Sequence, residues 1–137
     1  MSEHRLDSKG RIVLPAKLRE KLGDIVVVTK GIEKYLALYS KEAWNDLEEK
    51  IKGISYFSLS PQARNALRVM MDSEDINIDG VGRILLPAGF RKYAELSQDV
   101  KFIKLPSHIE IWDGQIWKNR ENPTLENLSE LAKELGI

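Results

Sequence analysis

The sequence contains no cysteine among its 137 residues. This absence excludes disulfide bonds, zinc sites built on thiolates and a catalytic thiol. Folds that depend on disulfides belong to oxidising compartments, and a chain without cysteine is typical of the cell interior. We therefore expect a cytoplasmic protein.

Long apolar segments and closely spaced histidines are absent as well. The longest apolar runs, such as residues 35–39, hold about five residues, whereas a membrane-spanning helix needs about 20. Charged side chains interrupt the first seven positions, which argues against a secretory signal. The two histidines, His4 and His108, lie too far apart in the sequence for a metal-ligand pair. We expect no membrane association, no bound metal and no cofactor.

An excess of charge of one sign is also missing. The chain has 21 Lys and Arg residues and 21 Asp and Glu residues, so its formal net charge at pH 7 is zero. A balanced total excludes a polycationic chain but is compatible with a local basic surface. With 42% hydrophobic and 31% charged residues, the composition is that of a folded globular protein. One domain, or two small ones, is expected at this length.

What the sequence does contain is an internal repeat. Residues 6–19 (LDSKGRIVLPAKLR) and 78–91 (IDGVGRILLPAGFR) are identical at 8 of 14 positions after a shift of 72. The similarity continues more loosely from 26–44 to 100–117, where Trp44 aligns with Trp117. Self-similarity at a fixed period indicates two copies of one structural unit.

Each copy predicts the same succession of short elements. The pattern Asp-x-x-Gly-Arg is typical of a tight turn, because glycine takes positive φ and an aspartate side chain accepts bonds from nearby backbone amides. The apolar stretch after the turn predicts the second strand of a hairpin, which Pro15 or Pro87 ends where a short helix begins. Two further strands follow in each copy. The predicted helices are 16–22 and 88–96, and the predicted later strands are 25–29, 36–39, 100–104 and 109–112.

Two helices are predicted between the copies. Ser40 is an N-cap signal for the first, and Ser60 followed by Pro61 is the start signal for the second. Both segments have apolar residues at helical spacing.

A further helix is predicted at the C-terminus. Asn122 and Pro123 are read as its start and Gly136 as its end. Four leucines share one face of this helix, namely Leu125, Leu128, Leu131 and Leu135. We expect the leucines to pack against their own chain, and a contact with another subunit is the alternative.

Together these elements predict an α+β fold, mainly β. It consists of two tandem β-α-β modules related by a pseudo-two-fold repeat, and helices join and flank the modules. We divide the chain into a first module with its trailing helix (1–53), a helical connector (54–74), a second module (75–118) and a C-terminal amphipathic helix (119–137).

Catalytic chemistry has little support in the sequence. No Gly-x-Ser-x-Gly motif occurs, and the glycines of the two turns match no phosphate-binding loop. Asp7 and Asp79 are conceivable as an acid–base pair, but their identical contexts are explained more simply by one turn present in two copies. We therefore expect neither an enzyme nor a small-molecule substrate.

Nucleic-acid binding has better support, because basic residues gather around the first turn. Residues 5–21 carry six basic and two acidic side chains, whereas 77–93 carry three basic and one acidic. Phosphate binding requires Lys and Arg on one face, and arginines on a β-ribbon reach base edges in a DNA groove. A solvated charged surface is the alternative. Assembly of several copies would raise avidity for DNA, which favours a homo-oligomer.

The sequence around the repeated motif resembles the MraZ family. The resemblance rests on residues 4–11 (HRLDSKGR), Pro15, Arg19, 79–83 (DGVGR) and 109–113 (IEIWD), and it runs to about Trp117. It implies a bacterial transcriptional regulator of the division and cell-wall gene cluster, built from two AbrB-like, swapped-hairpin-like modules. It also implies ring-shaped homo-oligomers that bind short direct repeats in promoter DNA, and hence a nucleoid-associated protein in the cytoplasm.

The resemblance assigns contact with double-stranded DNA first to the arginine of the motif. The candidate DNA-binding residues are Arg11, Lys9, Arg5, Lys17 and Arg83. The second copy is the less basic one, so we expect it mainly to build the fold and the oligomer.

Four motif residues are expected to be structural, holding the two turns: Asp7, Gly10, Asp79 and Gly82. The alternative function is that of an AbrB-like interaction protein of antitoxin type, which would act mainly by binding a protein partner. Antitoxins of that type usually carry one such module, whereas this chain carries two.

Overall fold

The computed structural model describes residues 4–120 and 124–137. Over these residues the chain forms eight strands, β1 His4–Arg5, β2 Arg11–Val13, β3 Ile25–Lys30, β4 Tyr35–Ser40, β5 Ser73–Asn77, β6 Arg83–Leu85, β7 Asp99–Lys104 and β8 Ile109–Asp113. The helices in the same ranges are α1 Ala16–Arg19, α2 Lys41–Lys52, α3 Pro61–Met70, α4 Ala88–Tyr93, α5 Gly114–Lys118 and α6 Leu125–Leu135, and a 3₁₀ turn lies at Tyr56–Ser58. None of the helices in this part of the chain is long and apolar enough to cross a bilayer.

The start signals of α2 and α3 act as the sequence predicts. The hydroxyl of Ser40 accepts the backbone N–H of Ala43, and that of Ser60 accepts the N–H of Ala63. Such caps satisfy amides that have no partner within the helix. The helices after Pro15 and Pro87 are shorter than predicted, because the chain leaves α1 and α4 within about two turns to enter the next strand.

Six strands form one antiparallel sheet in the order β1-β7-β8-β4-β3-β5, while β2 and β6 pair separately as a two-stranded ribbon. Each repeat contributes four strands. Equivalent strands take symmetric places, with β1 and β5 at the two edges and β4 and β8 side by side in the middle. The predicted α+β class and the pseudo-two-fold repeat are thereby confirmed.

The two repeats exchange strands. Strand β1 pairs with β7 of the second repeat, and β5 pairs with β3 of the first. The ribbon pairs β2 with β6. The prediction that each Asp-x-x-Gly-Arg turn closes a hairpin within its own copy was therefore wrong. The turn joins β1 to β2, but both strands find their partners in the other repeat, where their apolar residues enter one shared core.

The main core lies between the six-stranded sheet and the ribbon with its short helices. Side chains alternate strictly along the central strands, since Val26 and Val28 face this core while Val27 faces the other side of the sheet. From the ribbon, Ile12 and Ile84 point inward and are each 1% exposed. This alternation is the period of two expected for a sheet that is covered on both faces.

The opposite face of the sheet carries an aromatic cluster under α2 and α5. Tyr35 stacks on Trp112 with a centroid distance of 5.2 Å, and the guanidinium of Arg120 lies 4.6 Å from the centroid of the Trp112 ring. Trp44 of α2 and Trp117 of α5, which align in the repeat, both belong to this layer. The two trailing helices therefore cover neighbouring halves of one sheet face.

Helix α6 leaves its leucines exposed, so the expectation that they pack against their own chain was wrong. Leu125, Leu128, Leu131 and Leu135 are 82%, 56%, 52% and 62% exposed. A periodic apolar stripe predicts that something covers a helix without specifying what covers it. Asn122 and Pro123 lie outside the described residues. The helix begins at Leu125 behind an N-cap at Thr124, and its predicted end at Gly136 is confirmed by a left-handed C-cap.

Candidate nucleic-acid interface

The first motif is a turn organised by the carboxylate of Asp7. Its Oδ1 accepts the backbone N–H groups of Lys9 and Arg11, each at 2.9 Å, and its Oδ2 accepts Nε of Arg11 at 2.8 Å. The amide of Arg11, its guanidinium and the amide of Lys9 together lower the pKa of Asp7 to about 2. The aspartate therefore stays ionised and fixes the direction of the Arg11 side chain.

The second motif reproduces this geometry. Oδ1 of Asp79 accepts the amides of Val81 at 3.0 Å and Arg83 at 2.8 Å, and Oδ2 accepts Nε of Arg83 at 2.8 Å. The same bonds, that of the Arg83 amide first, lower the pKa of Asp79. The guanidinium of each motif arginine is thus held through a single nitrogen, Nε. In an arginine so held, the outer nitrogens of the guanidinium are left to reach a further acceptor.

The ribbon brings the two motif arginines to one surface. In its register Arg11 lies opposite Leu85, and Val13 lies opposite Arg83. Because residues two apart in a strand share a face, these four side chains point the same way, away from the core. Val13 and Leu85 are 52% and 54% exposed. On the outward face of the ribbon, each arginine therefore lies beside an exposed apolar residue of the other strand.

Each motif is also covered by an arginine from the other repeat. The guanidinium of Arg91 lies against Gly10, and that of Arg19 lies against Gly82. Nε of Arg91 donates to the carbonyl of Leu86 at 3.0 Å, which anchors the side chain beside the ribbon. Arg19 and Arg91 were not among the predicted site residues. Both are arginine at the same position of the two repeats, and this identity is the sequence signal that could have indicated a role for them.

The two turns differ at their tips. The first presents Ser8 and Lys9, whereas the second presents Gly80 and Val81, of which Val81 is 62% exposed. The backbone amides at positions 9 and 81 make equivalent bonds to the aspartates. The tips therefore share a conformation but differ by one positive charge.

Two other predicted DNA-binding residues lie apart from the ribbon. Arg5 is in β1 of the large sheet, where its Nε lies 3.2 Å from the carboxylate of Asp99. Lys17 is exposed on α1 and lines a cavity of about 240 Å³ with Lys21 and Lys104. The structure thus brings together Arg11, Arg83 and the tip of the first turn, but it places Arg5 and Lys17 on neighbouring surfaces.

The two motif aspartates are not arranged as an acid–base pair. Asp7 and Asp79 are each bound to the arginine of their own turn rather than to each other. No group of three or more potential ligands among His, Asp and Glu occurs over residues 4–120 and 124–137. The arrangement is suited to binding an anionic surface.

The chain matches the model of one protein family twice. The family is described as "MraZ protein, putative antitoxin-like", and the matches cover residues 1–69 and 69–135. The similarity therefore extends past Trp117, where the resemblance in the sequence was expected to end.

Curated proteins of similar sequence carry the name "Transcriptional regulator MraZ". The one from Thermoanaerobacter sp. (strain X514) is 37% identical over 133 residues, which are 97% of this chain and 92% of that protein. The one from Clostridium tetani is 38% identical over 137 residues, 98% of this chain and 95% of that protein. The one from Caldicellulosiruptor bescii is 37% identical over 139 residues, 98% of this chain and 96% of that protein.

Proposed function

Because the chain belongs to the MraZ family, whose curated members are named transcriptional regulators, we propose that it is a transcriptional regulator that binds promoter DNA through the outward face of the β2–β6 ribbon. The observation that carries the proposal is the convergence of Arg11 and Arg83 on that face, each held by the aspartate of its own turn.

A two-stranded ribbon is one of the elements that fit the major groove of B-DNA. The hydrogen bond that each arginine donates to its aspartate holds the guanidinium in place before DNA binds. This reduces the side-chain entropy lost on binding. In this proposal Arg11 and Arg83 read base edges from the two ends of the ribbon. Arginine is suited to this task because it bonds guanine O6 and N7 with two parallel donors.

The basic side chains around the ribbon supply the part of the binding free energy that does not depend on DNA sequence. Lys9 at the first tip is placed to contact a phosphate beside the ribbon, and Arg5 and Lys17 would extend the basic surface along the duplex. Each neutralised phosphate makes affinity more dependent on salt. The first repeat therefore contributes more phosphate contacts, in keeping with its larger basic excess.

One ribbon presents a small surface, so assembly into a homo-oligomer would supply avidity. From the family resemblance we propose a ring of subunits that binds short direct repeats upstream of the division and cell-wall gene cluster. Such a protein would be nucleoid-associated in the bacterial cytoplasm, and it would be a regulator rather than an enzyme.

The test is a binding titration with DNA from the promoter of the chain's own gene and with a scrambled duplex of equal length. The wild type should prefer the promoter by roughly 10³-fold or more, and its affinity should fall steeply with salt. The Val13→Glu variant places a negative charge on the outward face of the ribbon, opposite Arg83, and should lose binding to both duplexes. Ile25→Glu, at a residue 42% exposed outside the ribbon, is the matched control. Unchanged DNA binding by the Val13→Glu variant would reject the ribbon as the DNA-binding surface.

The exposed apolar residues of the ribbon also support a second candidate, that of an antitoxin-type protein. Val13 and Leu85 are both about half exposed on the outward face of the ribbon, and exposed apolar groups are common at protein interfaces. In that case the titration would show no promoter preference, and affinity capture with the wild type would retain a stoichiometric protein partner that the Val13→Glu variant loses.

A further inference from the structure

A second apolar surface lies between α2 and α3. These helices enclose a groove of about 610 Å³. Leu47 and Ile51 line it from α2, and Ala63, Leu67 and Met70 line it from α3. Ile54, at its border, is 52% exposed. The groove is an apolar depression of the size that accepts side chains from one face of a helix.

The chain itself contains a helix of the matching kind. Helix α6 has 11 residues, which corresponds to a length of about 16 Å. Its four leucines recur every three or four residues and are all more than half exposed. Helix-in-groove recognition uses anchors at this spacing. A groove and an unpartnered helix face therefore occur on the same molecule.

The repeat explains why the leucine face of α6 is left uncovered by the described residues of its own half of the chain. The two family matches end at residues 69 and 135, close to the ends of α3 and α6, so these helices close the two repeats. In the first repeat the closing helix packs beside α2, which has 12 residues. In the second repeat the preceding helix α5 has only five residues and is too short to cover α6.

Helix α6 and the α3 wall of the groove carry opposite charges. Helix α6 carries three glutamates and one lysine. Helix α3 carries Arg64 and Arg68 beside the groove and has no acidic residue. Helix α2 carries four acidic and three basic residues, and Lys50 is the charged residue among those that line the groove. The opposite charges of α6 and α3 favour an orientation in which the glutamates of α6 lie along the α3 side of the groove.

We propose that α6 of one copy inserts its leucine face into the α2–α3 groove of a second copy. The groove belongs to the half of the sheet formed by β3 and β4, and α6 follows the half formed by β7 and β8. The contact therefore joins unlike surfaces, head to tail. Repeated contacts of this type produce a ring when the rotation between neighbours closes. The inference deepens the assembly part of the proposed function and rests on it.

The experiment uses two variants that each disable one side of the contact. Leu131→Glu charges the helix face, and Ala66→Glu charges an exposed residue of the groove. Ser129→Glu, elsewhere on α6, and Phe57→Glu, an exposed residue that does not line the groove, are their matched controls. Circular dichroism establishes that every variant is folded, and light scattering coupled to size exclusion measures the mass without DNA.

The wild type and both controls should form the same large assembly, and each disabled variant alone should be a monomer of 15.7 kDa. A mixture of the two disabled variants retains one intact helix and one intact groove, so it should form a dimer of twice that mass and nothing larger. A mixture that remains monomeric would overturn the inference, because the intact helix of one variant would then not bind the intact groove of the other. Disabled variants that keep the wild-type mass would overturn it equally.

The same measurements distinguish a wrong helix-in-groove contact from a wrong proposed function. A wild type that is monomeric would reject homo-oligomeric assembly as a whole. A wild type that assembles through some other surface would reject only the helix-in-groove contact. Binding of the monomeric variants to a single promoter repeat tests the ribbon independently of either result.

Discussion

Arg91 of the second repeat packs its guanidinium directly onto Gly10 of the first. A Cβ at position 10 would stand 2.6 Å from the Cζ of Arg91. Arg19 makes the reciprocal contact with Gly82, so each turn is closed by a side chain from the other copy. Turn conformation and contact between the repeats are therefore coupled at these two glycines.

Gly10→Ala and Gly82→Ala should each destabilise the fold by more than about 1 kcal/mol. The glycines have φ of +86° and +87°, a region costly for alanine, and the added methyl group would displace the covering arginine. Urea unfolding followed by circular dichroism measures the change. Gly80→Ala, where no atom lies within 4 Å of the new Cβ, is the control and should be nearly neutral.

Arg11→Ala and Arg83→Ala should each weaken specific promoter binding by roughly 10- to 100-fold, in line with about 1–3 kcal/mol for a bidentate base contact. Both should keep the wild-type oligomer mass, since the arginines lie on the outward face of the ribbon. Fluorescence anisotropy with labelled promoter DNA measures the affinities. If Arg83→Ala lowered stability or assembly and spared DNA affinity, the second motif would be structural and only Arg11 would read DNA.

The one-charge difference between the turn tips should appear in the salt dependence. Lys9→Ala should reduce the slope of log affinity against log salt by about 0.9, and Val81→Lys should increase it by a similar amount. Promoter preference over scrambled DNA should change little in either variant, because phosphate contacts carry no direct sequence information. Equal slopes for all three proteins would place both tips away from the DNA backbone.

Asp113→Ala should cost about 2–3 kcal/mol of unfolding free energy. The Asp113 side chain accepts the amides of Gln115 and Ile116 at the start of α5 as well as the amide and hydroxyl of Ser97, and it is 4% exposed. Ser40→Ala, at the corresponding helix start of the first repeat, removes a single cap bond and should cost about 1 kcal/mol. Similar urea midpoints for the two variants would contradict this ranking.

The aspartate of the first turn should make stability depend on acid pH. The pKa of Asp7 falls from 3.8 to about 2 on folding, chiefly through the Arg11 amide, so its ionised form favours the folded state. This contribution is complete above the unfolded pKa and is lost as pH falls from 3.8 toward 2. Urea midpoints measured across that range should fall less steeply for Asp7→Asn than for the wild type. Parallel curves would mean that Arg11 does not favour the ionised carboxylate.

The local elements were readable from the sequence because their signals are local. Caps at Ser40 and Ser60, the end of α6 at Gly136 and the alternation of apolar residues in β3 and β4 depend on neighbouring residues alone. The repeated Asp-x-x-Gly-Arg motif likewise pointed to the turn and to its arginine.

The sequence did not predict in the same way which strands pair or which surface covers a helix. Alternation in 11–14 defines which side chains face the core, but it contains no information on whether the strand pairs with its neighbour in sequence or with the other repeat. The apolar stripe of α6 likewise gives the face and not the surface that covers it. Arg19 and Arg91 entered the site only through the strand exchange, which carries each of them to the opposite turn.

The exchange of strands between repeats also determines when the protein can fold during its own synthesis. Strand β3 pairs on one side with β5, and β4 pairs with β8, which ends at Asp113. The first half of the nascent chain therefore leaves the ribosome with sheet edges that stay unpaired until most of the second half has followed. Unpaired edges of this kind promote aggregation in partly folded chains. We infer that the cotranslational folding of this chain is concerted and late, and that truncated chains ending before β8 are targets for chaperones and proteases.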